Sequence, residues 1–139
     1  MKKSYTANLA SLNEIAKDIE EFCNTCGVSG NDVYAINLAV DELFTNSVVY
    51  GYENNADAVV DVEIECQANK VKIVLSDYAP KFNPLQEVEA PDLNSDIETR
   101  KIGGLGVFFA KKQMNEISYA YNDGKNVITM YRNISNAKK

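Results

Sequence analysis

A chain of 139 residues, 45% hydrophobic and 24% charged, has an ordinary globular composition and enough length to bury one core without staples. Its 14 basic and 20 acidic side chains give a formal net charge of −6, which argues against nucleic acid or an anionic membrane as the main partner. With no histidine anywhere, Ser-His-Asp catalysis and self-contained histidine phosphotransfer are excluded.

No apolar run reaches the roughly 18 residues of a membrane span, and no signal-peptide pattern follows Met1-Lys2-Lys3. The expected compartment is the cytoplasm, and the expected organisation is a single domain over 1–139. Cys23-Asn24-Thr25-Cys26 is a CxxC, but no second CxxC and no histidine accompany it. Ligands for a zinc site are therefore scarce, and Cys23 is expected to pack on a helix face with Cys26 near the helix end.

In chain order, Leu12, Ile15, Ala16, Ile19, Phe22 and Cys23 recur at helical spacing and predict a helix over 9–26, stopped by Gly27. Asn31 or Asp32 is expected to cap a second helix reaching about Tyr50. Its buried stripe runs through Val33, Ile36, Val40, Leu43, Phe44 and Ser47, with Gly51 ending it. Glu42 and Asn46 lie at the border of that stripe, four positions apart and therefore on one face. From Ala58 the period becomes two. Val60, Val62, Ile64 and Cys66 predict a half-buried strand, and a turn near Asn69 leads to a second strand with Val71, Ile73, Leu75 and Asp77 in phase. The carboxylate of Asp77 is thus expected to point the same way as three core residues.

The stretch 78–102 has no clear periodicity and holds all three prolines, as expected of a functional lid or a disordered loop. It ends in "KIGGLGVFFAKKQM", a glycine cluster opening a short helix through Val107, Phe108, Ala110, Lys111 and Met114. Two strands, 116–122 and 125–132, flank Asp123-Gly124, a hairpin signal. Ile117, Tyr119 and Tyr121 share one face of the first; the second reads as buried on both sides. The fold class expected is α/β, an α+β two-layer sandwich: a mixed, mostly antiparallel sheet with helices on one face.

Glu42 with Asn46, inward Asp77 and the glycine cluster are three polar anomalies that one nucleotide would explain. A glycine-rich loop at a helix start offers bare N–H groups and a favourable dipole to phosphate. The amide oxygen of Asn46 suits Mg²⁺, and Glu42 can activate a hydroxyl or water beside the terminal phosphate. Asp77 can accept from an exocyclic amine such as that of adenine.

These residues resemble a known family. Glu42-x-x-x-Asn46, Asp77 in "SDYAPKFNPL" and "GGLGVFFAKKQMNEISY" look like the three ATP-binding boxes of the GHKL (Bergerat-fold) ATPases. The nearest resemblance is to the small bacterial anti-sigma factor serine/threonine kinases. The resemblance implies a Bergerat ATP-binding fold, with Glu42 as catalytic base and Asn46 as Mg²⁺ ligand. It implies that Asp77 reads adenine, with Ala79 and Phe82 beside it in the second box. Gly103, Gly104, Leu105 and Gly106 would cradle phosphate, and 79–102 would form the ATP lid. It further implies phosphorylation of a serine on a STAS-domain anti-anti-sigma partner, sequestration of a sigma factor, and a homodimer.

One departure stands out. The family's second box is Asp-x-Gly, and here the third position is Ala79, held before Pro80. If the glycine works at negative φ, the cost is one methyl group; if it needs positive φ, the pocket is damaged. ATP binding is expected to be retained. Ala79 leaves open an alternative, a nucleotide-responsive partner-switching module with weak or no kinase activity. The ATP-binding domain of a histidine kinase is excluded by the missing phosphotransfer helix pair and histidine.

Overall fold

The computed structural model describes residues 1–52, 58–81, 83 and 110–134. The first ordered element is a strand that the hydrophobic pattern does not announce, β1 (Lys2–Thr6). Only Tyr5 of its residues is buried, so there is no alternation of apolar side chains to read. The strand is made by its partner: it pairs antiparallel with β2 (Val59–Cys66), Tyr5 opposite Val60. Lys3 then ties it to the first helix through Glu14 (2.6 Å) and Asp18 (3.0 Å), and the Tyr5 hydroxyl donates to Asp18 (2.8 Å). An edge strand rich in lysine also resists pairing with another chain.

A 3₁₀ turn at Leu9–Ser11 precedes α1 (Leu12–Thr25), so the α-helix starts three residues later than its periodicity suggested. Ile15, Ile19 and Cys23 form its buried face, and Gly27 leaves the helix at φ +74°, a conformation that favours glycine. α2 (Gly30–Asn46) is capped by Ser29 and not by Asn31 or Asp32. Ser29 is extended, its oxygen accepts from the Asp32 N–H (3.2 Å), and its hydroxyl donates to the Asp32 carboxylate (2.9 Å). The S-x-x-D spacing of a capping box therefore sets the start. At its other end α2 does not continue as α-helix to Tyr50. Ser47–Gly51 form one π-helical turn, in which the Tyr52 N–H reaches back to the Ser47 carbonyl (2.8 Å).

β2, β3 (Lys70–Asp77), β4 (Glu116–Asn122) and β5 (Lys125–Asn133) complete a five-stranded sheet in the order β1-β2-β3-β5-β4. Among the described residues every pairing is antiparallel. The β4–β5 turn carries Asp123 at φ +52° and Gly124 at φ +76°, the two positive values a tight two-residue hairpin requires. Residues 110–113 are helical, with Ala110 and Met114 buried.

One sheet face holds Val60, Val62, Ile64, Val71, Ile73, Leu75, Ile128 and Met130, all buried against α1 and α2 in a single cluster with Ile19, Ile36 and Phe44. Each large side chain buried there contributes about 1.5–3 kcal/mol. β5 is covered on that face alone: Val127, Thr129 and Tyr131 on the other are half-buried, contrary to the two-sided burial expected. The three cysteines are free. Burial pushes the thiols of Cys23 up to about 11 and of Cys66 up to about 12, which makes them packing groups and poor nucleophiles. No described helix is long and apolar enough to cross a membrane.

Candidate active site

The alternation of β3 carries Asp77 to the strand end on the core face, where it is only 8% exposed. Burying a carboxylate is costly unless donors surround it, and three do. Ser47 donates its hydroxyl to Oδ2 (2.8 Å), while the Ala79 N–H (3.2 Å) and the Asn126 amide (2.9 Å) both donate to Oδ1. Oδ1 has thereby used both its acceptor positions. Oδ2 retains one, the single acceptor site on this carboxylate that no described residue fills.

Ser47 is the first residue of the π turn, so its bond to Asp77 joins the C-terminal end of α2 to the end of β3. A π turn inserts one extra residue per turn and re-aims the side chains beside it, and such turns recur at functional sites. Asn46 stands immediately before it, and Glu42 one helical turn before Asn46. Asn46 is 8% exposed, and its side-chain amide makes no hydrogen bond to any described residue. Glu42, one turn earlier and half-buried, likewise has no described ion-pair or hydrogen-bond partner. Burial raises its pKa, and the neighbouring Asp41 carboxylate adds to the rise. A buried amide without a partner is rare in a folded protein and calls for an explanation. An amide oxygen beside a desolvated carboxylate is a donor set that fits a hard divalent cation and an incoming hydroxyl.

The root of the expected lid is held from several sides. Tyr78 donates its N–H to the Tyr52 hydroxyl (2.6 Å) and its own hydroxyl to Asp61 (2.8 Å). The Asn126 amide also donates to the carbonyls of Ala79 (3.1 Å) and Pro80 (3.2 Å). Ala79 is 3% exposed and lies at negative φ, since Asp123 is the one non-glycine residue at positive φ among those described. The departure from Asp-x-Gly therefore places one methyl group here and no backbone strain.

Residues 5–132 match the family described as a histidine kinase-like ATPase domain. The serine-protein kinase RsbW of Listeria monocytogenes is 31% identical over 111 residues, which cover 77% of this chain and 71% of the relative. The chain belongs to the RsbW-type serine-protein kinases.

Another RsbW, from Staphylococcus aureus, is 30% identical over 112 residues, 78% of this chain and 70% of that one. A crystal structure of the RsbU and RsbW domains of a Mycobacterium tuberculosis protein superposes with a TM-score of 0.66 at 15% identity. It covers all of this chain, which spans 33% of that longer one, and it supports the fold. As a member of this ATPase family, the RsbW-type chain uses ATP.

Of the residues expected to form the RsbW-type site, Asp77 and Ala79 share one hydrogen-bonded corner, and Glu42 and Asn46 end the helix joined to it by Ser47. Phe82, Gly103, Gly104, Leu105 and Gly106 lie outside the described residues, as does most of the lid expected at 79–102. Two residues of the corner escaped the sequence reading. Helical spacing places Ser47 on the core stripe, whereas its hydroxyl serves Asp77. Asn126 is in phase with Ile128 and Met130 and directly opposite Asp77, so the same alternation that singled out Asp77 also marks it.

Proposed function

We propose that this chain transfers the γ-phosphoryl group of ATP to a serine of a STAS-domain anti-anti-sigma protein, and that as a homodimer it holds a sigma factor. The observation that carries the reading is the pair at the end of α2: a buried Asn46 amide with no described partner, one turn after a desolvated Glu42. A structural role would satisfy these groups within the protein. A ligand role leaves them open.

In this mechanism Asp77 accepts a hydrogen bond from the exocyclic amine of adenine at the open position on Oδ2. The Asn46 amide oxygen would hold Mg²⁺, which when bound supplies charge neutralisation to the phosphates. By the family resemblance, Gly103, Gly104, Leu105 and Gly106 would offer backbone N–H groups to phosphate, and Phe82 would belong to the nucleotide-binding set. Glu42 takes the proton of the serine hydroxyl as the serine oxygen bonds to phosphorus, and the bond from phosphorus to the ADP oxygen breaks. A raised pKa makes Glu42 a stronger base than an ordinary carboxylate, and the cost of holding it charged is met by the fold.

The test is phosphoryl transfer from Mg-ATP to the STAS-domain proteins of the same organism, followed by phosphoserine mapping. Transfer to one serine, lost in Glu42→Gln, is the expected result. ATP binding with no phosphoserine on any STAS protein would overturn the kinase reading and leave the partner-switching module in its place.

A further inference from the structure

Asn126 is the third buried polar side chain of the described residues, 5% exposed, and none of the family boxes contains it. Among the described residues its amide nitrogen faces three acceptors: Asp77 Oδ1, the Ala79 carbonyl and the Pro80 carbonyl. Two N–H groups serve three acceptors, so one bond is shared. Its amide oxygen accepts from the Tyr119 hydroxyl on β4. The amide is therefore oriented without ambiguity: the nitrogen must face the acceptor cluster, and the tyrosine fixes the oxygen on the other side.

Cross-strand pairing puts Asn126 directly opposite Asp77, and a chain of bonds runs Tyr119–Asn126–Asp77–Ser47 from β4 to the π turn after α2. Each link has a consequence for the carboxylate. Asn126 and the Ala79 N–H fill Oδ1 and hold the carboxylate plane; Ser47 takes half of Oδ2. What remains is one acceptor site with a fixed direction. The same amide holds both carbonyls of the Ala79-Pro80 step, so the start of the lid and the carboxylate cannot move independently.

We propose that Asn126, oriented by Tyr119, is the positioning residue that sets base selectivity, by fixing Asp77 so that one acceptor site faces a 6-amino purine. This rests on the reading of Asp77 as the adenine acceptor. Without Asn126, Oδ1 has a vacant acceptor position and the carboxylate can rotate. Its interaction with an amino group weakens while its contact with the rest of a purine nucleotide does not.

The experiment is titration of the full chain with Mg-ATP and Mg-ITP, which differ in having an amino group or an oxo group at the purine 6-position. Wild type should prefer ATP. Asp77→Asn should shift the preference toward ITP, because an amide N–H now faces the base. Asn126→Ala should lower the ATP:ITP affinity ratio by about tenfold, mostly through ATP, as expected when one buried hydrogen bond is lost. Asn126→Asp should lower it further, since a carboxylate would face Asp77 Oδ1 and two carbonyls. Tyr119→Phe keeps the ring, removes only the orienting hydroxyl, and should lower the ratio in the same direction by less. It replaces the Asn126 variants if those fail to fold.

Equal affinity of wild type for ATP and ITP would overturn the Asp77 reading and this inference with it. A wild-type preference that Asp77→Asn shifts but Asn126→Ala and Tyr119→Phe preserve would overturn the role of Asn126 alone. Weakening of both nucleotides by the same factor would show Asn126 to be structural, and would also overturn it.

Discussion

The two ends of α2 are built on opposite principles. At the N-terminal end the capping side chains are answered within the protein: Ser29 and Asp32 cap each other, and Asp32 Oδ1 also receives Arg132 Nε at 2.9 Å from β5. Arg132 is itself pinned by the Gln113 carbonyl (2.6 Å). At the C-terminal end Glu42 and Asn46 have no described partner, and the helix loosens into a π turn. One helix thus presents a closed end that stabilises and an open end whose polar side chains no described residue satisfies. The lesson is about where stability is given up: the open groups are the ones a nucleotide would satisfy.

The largest expected effect is at the open end. Glu42→Gln should bind Mg-ATP and lose phosphoryl transfer by roughly 10²–10⁴-fold, because a general base acts mainly in the transition state. Asn46→Ala should in addition lose the Mg²⁺-dependent part of the affinity. The open end should also reveal itself without any ligand. Folding raises the pKa of Glu42, so its contribution to stability is present at low pH and is lost as pH rises through the folded value. Glu42→Gln should therefore raise the ligand-free melting temperature at neutral pH. A variant melting below wild type there would break the comparison, for it would mean that Glu42 is satisfied after all.

Asp77 tests the boundary between the two designs, being both saturated by donors and left with one opening. Asp77→Ala strands the Ser47 hydroxyl and the Ala79 N–H, a loss of about 1–3 kcal/mol of stability. It should also abolish the ATP-dependent rise in melting temperature. Full retention of that rise would remove Asp77 from the nucleotide site and leave it as a structural knot.

How far the sequence told this in advance depends on the kind of pattern each feature leaves. β2, β3 and the hairpin were legible because alternation and Asp123-Gly124 are local signals, and Asp77 was legible because it interrupts an alternation with a charge. β1 was not, since a strand with one buried residue is formed by its neighbour's open edge and leaves almost no pattern of its own. The π turn was not either: residues 47–51 continue a helical sequence, and the Ser47–Asp77 bond that accompanies the turn is a tertiary contact that local spacing does not encode. Asn126 was legible in principle, yet an uncharged polar residue at a strand start passes for a turn residue.

A smaller effect concerns pH. The acid limb of phosphoryl transfer should fall at a pH above the usual glutamate range, because burial first, and Asp41 second, disfavour the charged base. Asp41→Asn removes the second cause and should move that limb to lower pH with little change in the plateau rate. A limb that stays in place would show that burial alone sets the base.

The smallest effect belongs to the closed end and serves as the control. Gly30 is the first residue of α2, at negative φ, and a methyl group added there meets nothing within 4 Å. Gly30→Ala keeps the Ser29 cap and removes backbone freedom from the unfolded chain. The gain expected is roughly 0.4 kcal/mol, the lower end of the range for compatible sites, since a first-turn position makes fewer demands than a helix interior. The melting temperature should rise slightly, equally with and without Mg-ATP. That equality is what the comparison requires: the closed end is far along the helix from the open groups, and tightening it should add stability without reaching the nucleotide. A rise that grew with Mg-ATP would mean that order at the helix start is transmitted to Glu42 and Asn46, so that α2 would act as one stiff lever and its two ends could not be treated separately.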